Sequence, residues 1–357
     1  MKAKLILENN MEFEGSAFGY PENTEGEIVF TTGMTGYEGT LTDPSFAGQI
    51  VVMTYPLIGN CGTNPEDMET DAPKLRGLIV REKCEAPNNW RCETDLDSFL
   101  KLYKIPGLEG IDTRKLTKII RDEGIMKARL VTDPGGDTPD FTEQDRHLAG
   151  AVTCGEPYTL TAPGSIYRVA VIDLGVQKSV LRELRDMGCT LDVFPSFTPA
   201  AQVLSGNPDA VFLSSGPGNP KDIPEILENI SLLCGNKPVF GVGLGHQLIG
   251  LAEGCDTEKM KFGHHGANHP VKDLRTGHVY ITSQNHNYTV SRLGGDMEAT
   301  LVNVNDGTVE GMRHKSKPIA GVQFYPDEMP GPAGFNALFS NFLSAAKLDR
   351  NMESRHA

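Results

Sequence analysis

The chain has 357 residues, 39% hydrophobic and 22% charged, with 33 Lys and Arg against 47 Asp and Glu for a formal net charge of -14. That length suits two or three domains with separate cores, and the acidic balance without a long basic run argues against a surface that tracks nucleic-acid phosphates. The apolar stretch within Met1 to Asn10 is too short for a signal-peptide core, and no segment reaches the roughly 20 apolar residues of a membrane span, so a cytoplasmic location with no membrane partner is expected.

Residues 1–150 read as a β-rich domain. Lys4 to Glu8, Glu12 to Phe18, Glu27 to Thr32, Gln49 to Thr54 and Gly77 to Val80 are short strand-like runs parted by Gly, Pro and Asn turns. A helix is predicted from Asp112 to Glu123, where Asp112 or Thr113 caps, Leu116, Ile119 and Ile120 repeat at helical spacing, and Gly124 stops it. Asp133 to Asp140 is turn-rich, and residues 151–166 read as a linker.

Residues 167–350 change rhythm to α/β. Arg168 to Asp173 is a continuous apolar strand, followed by a helix with Val180, Leu181, Leu184 and Met187, the opening of a mainly parallel sheet. Strands are predicted at Thr190 to Phe194, Ala210 to Leu213 and Pro238 to Val242, with a helix from Pro224 to Leu233. Shorter, more antiparallel strands follow at His278 to Thr282, Glu298 to Asn303, Thr308 to Arg313 and Ile319 to Phe324, with a closing helix from Gly334 to Ala346. The seven cysteines are scattered without a Cys-x-x-Cys pair, which fits reduced thiols better than a disulfide frame or a zinc knuckle.

The most informative segment is Gly241-Val242-Gly243-Leu244-Gly245-His246-Gln247. It has the layout of a nucleophile elbow, in which a strand feeds a glycine-flanked corner and the next helix aims its first N–H groups at the reacting atom. Gly243 occupies the nucleophile's place and has no side chain to attack with. The same glycines open a dinucleotide fingerprint, but His246 stands where G-x-G-x-x-G needs its third glycine, and the strand is a late one.

Ser214-Ser215-Gly216-Pro217-Gly218 follows a predicted strand, where open α/β sheets place ligands, and its glycines let backbone N–H groups face a developing oxyanion. Lys261 to His269 gathers His264, His265 and His269, yet the interrupting glycines fit a hydrogen-bonded structural loop better than a metal site, so no metal is expected. Ser283 to Tyr288 reads as a loop after a strand; its amides, imidazole and phenol suit either a small polar ligand or surface hydrogen bonding.

These residues carry a family resemblance over nearly the whole chain. Gly26 to Glu38, Leu41-Thr42-Asp43-Pro44-Ser45, Thr54 to Asn60 and Gly110-Ile111-Asp112-Thr113-Arg114 resemble the first domain of the small subunit of carbamoyl-phosphate synthetase. That domain is absent from other class I glutamine amidotransferases. The Gly216-Pro217-Gly218 loop, the elbow, Gly263 to Pro270 and Ser283-Gln284-Asn285-His286 resemble its amidotransferase half. The implied fold is α/β: an N-terminal β-rich small-subunit domain, then a class I glutamine amidotransferase-like domain with a mainly parallel central sheet.

Three departures stand out. The family's elbow reads G-x-C-L-G-H-Q, with Gly243 here at the cysteine; its distal His-Pro-Glu is Tyr325-Pro326-Asp327. A phenol with an ordinary pKa of about 10 is a poor base at neutral pH, and losing members of a cooperative triad costs on the order of a millionfold.

By resemblance, Ser45, Gly216, Gly218, Leu244, Gln247, Asn285 and Tyr288 match glutamine contacts, Asn287 replaces a glycine among them, and the N–H groups of Gly216 and Leu244 form the oxyanion hole. The resemblance further implies a large-subunit partner, with ATP and a divalent metal on that subunit and no cofactor on this chain. The expected function is that of the small subunit, feeding the carbamoyl phosphate, arginine and pyrimidine pathways. Glutamine hydrolysis is expected to be lost, leaving a structural or regulatory partner of an ammonia-using large subunit. Alternatives are a non-catalytic glutamine or amide sensor and a hydrolase built on Ser214, Ser215 or His286; for the latter no nucleophile, base and orienter arrangement is visible.

Overall fold

In the computed structural model, which describes residues 2–133, 141, 146–326 and 338–344, the chain divides into two units. The first comprises Met1–Asp145 and Lys261–Gly266, the second Arg146–Met260 and Ala267–Ala357.

In the first unit a closed barrel runs in the order Lys2–Leu7, Glu12–Gly19, Pro106–Glu109, Gly77–Ile79, Gln49–Met53, Thr24–Thr31 and Met126–Val131. Closure leaves no unpaired strand edge, the physical reason such short strands hold together. Alternation assigns their side chains to two cores: Ile50 and Val52 join Leu5, Ile28 and Leu130, whereas Val51 and Met53 join Leu41, Leu96 and Phe99. The helix Thr113–Glu123 starts where the Asp112 carboxylate accepts the Lys115 N–H at 2.9 Å, buries Leu116 and Ile120, and stops at Gly124, whose φ is 105°. Burying each of those two side chains is worth about 1.5–3 kcal/mol. The segment Lys261–Gly266 belongs here because Lys261 O accepts the Ile125 N–H at 2.8 Å and Phe262 stacks on Phe30 with ring centroids 6.5 Å apart.

The second unit is built on a ten-stranded sheet. Cys189–Pro195, Tyr167–Asp173, Ala210–Leu213, Val239–Val242 and Ile319–Val322 are neighbours in that order and parallel. Val309–His314, Val279–Arg292, Asp256–Asp273 and Met297–Asn303 extend one side. At the other edge Tyr158–Leu160 pairs antiparallel with Leu191 to Val193, so the 151–166 stretch contributes a strand to this sheet.

Both faces of the parallel strands are covered, as their apolar runs require. Val169 and Val171 pack with Val180, Leu181 and Leu184 of the helix Lys178–Asp186. Ala170 and Ile172 pack with Ile226 and Ile230 of Pro224–Asn236 and with Leu248 and Ile249 of Leu244–Ala252.

The runs Lys261 to His269 and Ser283 to Tyr288, expected as loops, lie instead within the 18-residue strand Asp256–Asp273 and the 14-residue strand Val279–Arg292. They bury consecutive polar residues, among them His264, His265, Gln284 and His286, and so show neither the apolar run nor the alternation by which a strand is read from sequence. Residues 134–140 of the turn-rich segment lie outside the described residues, as do the parts of the expected closing helix flanking 338–344. Among the described residues, no helix is long and apolar enough to cross a membrane.

Candidate active site

The strand Val239–Val242, buried at all four positions, ends on Gly243 at φ 55° and ψ -114°, and the helix Leu244–Ala252 begins on the next residue. Residues bearing a Cβ rarely adopt such a φ. The flanking glycines answer a different demand, close approach. A Cβ on Gly241 would stand 2.6 Å from the Gly245 carbonyl oxygen, and one on Gly245 2.4 Å from the Leu213 oxygen. A Cβ on Gly243 would meet only Ser215 Cβ at 3.1 Å, Ser215 Cα at 3.4 Å and Gln323 O at 3.9 Å. The corner therefore admits a short side chain at the cost of backbone strain, and none is there.

The corner is pinned by its backbone. Gly243 donates its N–H to Val322 O at 2.9 Å, Gly245 to Ser214 O at 3.1 Å, and Gln247 to Gly243 O at 3.1 Å. No side chain caps the helix, so its first-turn donors depend on other partners.

Beside it runs the Ser214 to Gly218 loop. A Cβ on Gly216 would fall 2.1 Å from Leu174 O and 3.1 Å from Leu244 Cδ2, which fixes glycine there, and Gly218 has φ 94°. The Ser214 hydroxyl accepts the Leu174 N–H at 2.9 Å and donates to Ser215 O at 2.8 Å. It is buried and committed to holding the loop.

Gln247 projects from the helix, 2% exposed, and its amide donates to Tyr288 O at 2.8 Å and to Gln323 Oε1 at 3.0 Å. Gln247 and Tyr288, singled out from the sequence, are thus brought together; Asn285 and Asn287 stand on the same strand as Tyr288, Asn287 being buried. The His286 ring is held on both sides, Nδ1 to Tyr288 O at 2.8 Å and Nε2 to Gln284 Oε1 at 3.0 Å. Ser45 lies in the first unit, in the turn Pro44–Phe46, where its N–H donates to Asp43 Oδ1 at 2.8 Å.

Tyr325 is buried, donates its N–H to Ser283 O at 2.9 Å, and belongs to the apolar cluster of Val322, Phe324 and Phe339, whereas Leu244 belongs to the opposite one. Asp327 lies outside the described residues. No described thiol comes nearer than 3.9 Å to where a Gly243 Cβ would stand. Cys234 is buried, and desolvation pushes its thiol up to about 12; Cys255 is buried and raised as well, again chiefly by desolvation. Both are poor thiolate sources at neutral pH.

Two residues near the corner were given no role in the site from the sequence. His246 is wholly buried, and desolvation lowers its imidazole to about 4, so it is neutral at physiological pH. Gln323, 2% exposed, is a lone amide ending an apolar strand, and that isolation was the signal available for finding it.

Residues 5–130 match the family model for the carbamoyl-phosphate synthase small chain, CPSase domain, and residues 170–345 match that for glutamine amidotransferase class-I. The chain is 52% identical over 350 residues to the carbamoyl phosphate synthase small chain of Clostridium perfringens (strain 13 / Type A), covering 97% of this chain and 100% of that one. It is 48% identical over 349 residues to the pyrimidine-specific small chain of Bacillus subtilis (strain 168), covering 96% and 95%. With the small chain of Bacillus caldolyticus it shares 50% identity over 352 residues, 96% of each. The chain belongs to the carbamoyl-phosphate synthase small-chain family, with the small-chain domain followed by a class I glutamine amidotransferase domain.

Proposed function

We propose that this chain acts as a carbamoyl-phosphate synthase small subunit that has lost glutamine hydrolysis and serves as a structural or regulatory partner of a large subunit. That large subunit holds the ATP and divalent metal, draws on free ammonia, and feeds the arginine and pyrimidine pathways. The observation that carries this reading is the corner at Gly243. Splitting an amide through a thioester needs a thiolate to attack the carbonyl carbon and a base to move the proton to the leaving nitrogen. At Gly243 the attacking position holds a hydrogen, with two carbons and a carbonyl oxygen as its nearest neighbours. The family's base position holds the buried Tyr325, and both ring nitrogens of His286 are engaged in hydrogen bonds. What remains is a scaffold whose glycines still shape an elbow and a loop of backbone donors.

The test is glutamate release from glutamine by the purified chain together with a large subunit. Expected is carbamoyl phosphate formation that depends on added ammonia and does not respond to glutamine. Glutamate release at the rates of the family's hydrolysing members overturns the reading. Installing Gly243→Cys, Tyr325→His and Asp327→Glu together is expected to recover hydrolysis, because a Gly243 Cβ meets no backbone closer than 3.4 Å.

A further inference from the structure

We infer that the second unit carries a site for an α-amino acid with an apolar side chain, under the hairpin that joins Asp256–Asp273 to Val279–Arg292. A cavity of about 180 Å³ opens there, and none of its lining residues belongs to the Gly243 corner. Val271, Leu301 and Phe324, all buried, form its wall with the half-buried Leu338. These side chains belong to or pack against the apolar cluster on one face of the parallel strands, so the wall continues the core. An apolar cavity of about 150 Å³ is large enough to hold benzene. This one therefore has room for the side chain of leucine or phenylalanine.

The wall has little to offer a polar side chain. Thr282, its buried polar residue, spends its hydroxyl internally, donating to His269 O at 3.0 Å and accepting Gln284 Nε2 at 3.1 Å. Tyr280 and the exposed Asn341 complete the rim.

Charge is concentrated at the tip of the hairpin, where Asp273 and the exposed Arg275 and Thr276 also line the cavity. The tip is held in one shape before any ligand arrives. Asp273 Oδ1 accepts the N–H groups of Arg275 at 2.7 Å and Thr276 at 2.9 Å, Gly277 donates its N–H to Asp273 O at 2.8 Å, and Asp273 donates its own to His278 O at 2.9 Å. Against the desolvation of partial burial, the N–H groups of Thr276 and Arg275 hold the Asp273 carboxyl below its ordinary value, so it is anionic at neutral pH. A carboxylate has about four lone-pair sites, so two such bonds leave it able to accept from a ligand, and a guanidinium is always cationic. A negative and a positive side chain two residues apart on one fixed turn match an ammonium and a carboxylate carried on one carbon. The third substituent of that carbon then enters the apolar wall, and the pre-set turn lowers the ordering cost of binding.

The test is calorimetric titration of the full chain with L-leucine, with isocaproate, which lacks the ammonium, and with isoamylamine, which lacks the carboxylate. Each analogue is expected to bind about 10-fold more weakly than L-leucine, the low end of what one hydrogen bond to a charged group supplies. Arg275→Gln is expected to weaken L-leucine and isocaproate by about 10-fold and to leave isoamylamine within about 2-fold. Asp273→Asn keeps the Oδ1 acceptor of the turn and is expected to do the converse, weakening L-leucine and isoamylamine and sparing isocaproate. L-alanine, which lacks the carbons that would fill the wall, is expected to bind at least about 10-fold more weakly than L-leucine. Absence of binding by both L-leucine and L-phenylalanine at millimolar concentration overturns the inference. So does binding of L-leucine that neither substitution weakens, or an L-alanine affinity equal to that of L-leucine. All of these outcomes leave the loss of glutamine hydrolysis standing, since that reading is tested by glutamate release.

Discussion

Alanine at each of the three elbow glycines separates backbone strain from steric exclusion. At Gly243, φ 55° and ψ -114° place a residue with a Cβ in a sparsely populated region, which costs about 1–3 kcal/mol. Its Cβ contact of 3.1 Å with Ser215 Cβ is relieved by a shift of a few tenths of an ångström. At Gly245 the new Cβ falls 2.4 Å from Leu213 O and 2.7 Å from Leu213 Cβ, so strand and helix must part, taking buried Leu244 and Leu248 with them. The expected loss there exceeds about 3 kcal/mol, the upper end of ordinary overpacking, and Gly241→Ala behaves alike because its contacts are also backbone atoms, at 2.6 Å. Urea denaturation followed by circular dichroism ranks the three variants. A Gly243→Ala variant as destabilised as Gly245→Ala refutes the claim that the corner admits a side chain.

Ser214→Ala is expected to lose about 1–3 kcal/mol of unfolding free energy, since the Leu174 N–H is left buried without its 2.9 Å acceptor; unchanged stability shows that the hydroxyl does not hold the loop. Glu38 predicts a pH dependence: desolvation pushes its carboxyl from 4.5 up to about 7, against the Asn64 N–H that it accepts at 2.6 Å. A folded value above the unfolded one means stability that is full below about pH 4.5 and lost as pH rises through 7. Relative to Glu38→Gln, the native chain is expected to weaken between about pH 5 and pH 8 by at most about 3 kcal/mol, and parallel pH curves for the two proteins rule this out.

Elements whose own residues alternate or repeat were legible in the sequence. Ala210–Leu213 falls where expected, and Thr113–Glu123 is bounded by its Asp112 cap and Gly124. The helix Leu96–Leu102 and the strand Pro106–Glu109 were missed, the first being only seven residues long and the second opening on Pro-Gly. Barrel closure was not readable either, because Lys2–Leu7 pairs with Met126–Val131 across most of the unit, and local periodicity carries no record of distant pairing. At the candidate site, glycine spacing and family motifs located Gly243, the 214–218 loop, Gln247 and Tyr288. The Gln247 bonds to Gln323 and Tyr288 O join positions 76 and 41 residues away, and only folding reveals them.

The contact between Val239–Val242 and Leu244–Ala252 is maintained by Gly241 and Gly245, which touch no reacting atom. Architecture and chemistry at this turn are thus under separate control: the glycines that hold strand against helix do so whichever side chain residue 243 carries. Two homologues of identical backbone trace can then differ completely in turnover, and superposition alone is blind to that difference. The identity of a single side chain, read together with the hydrogen-bonding groups around it, is the diagnostic that distinguishes them.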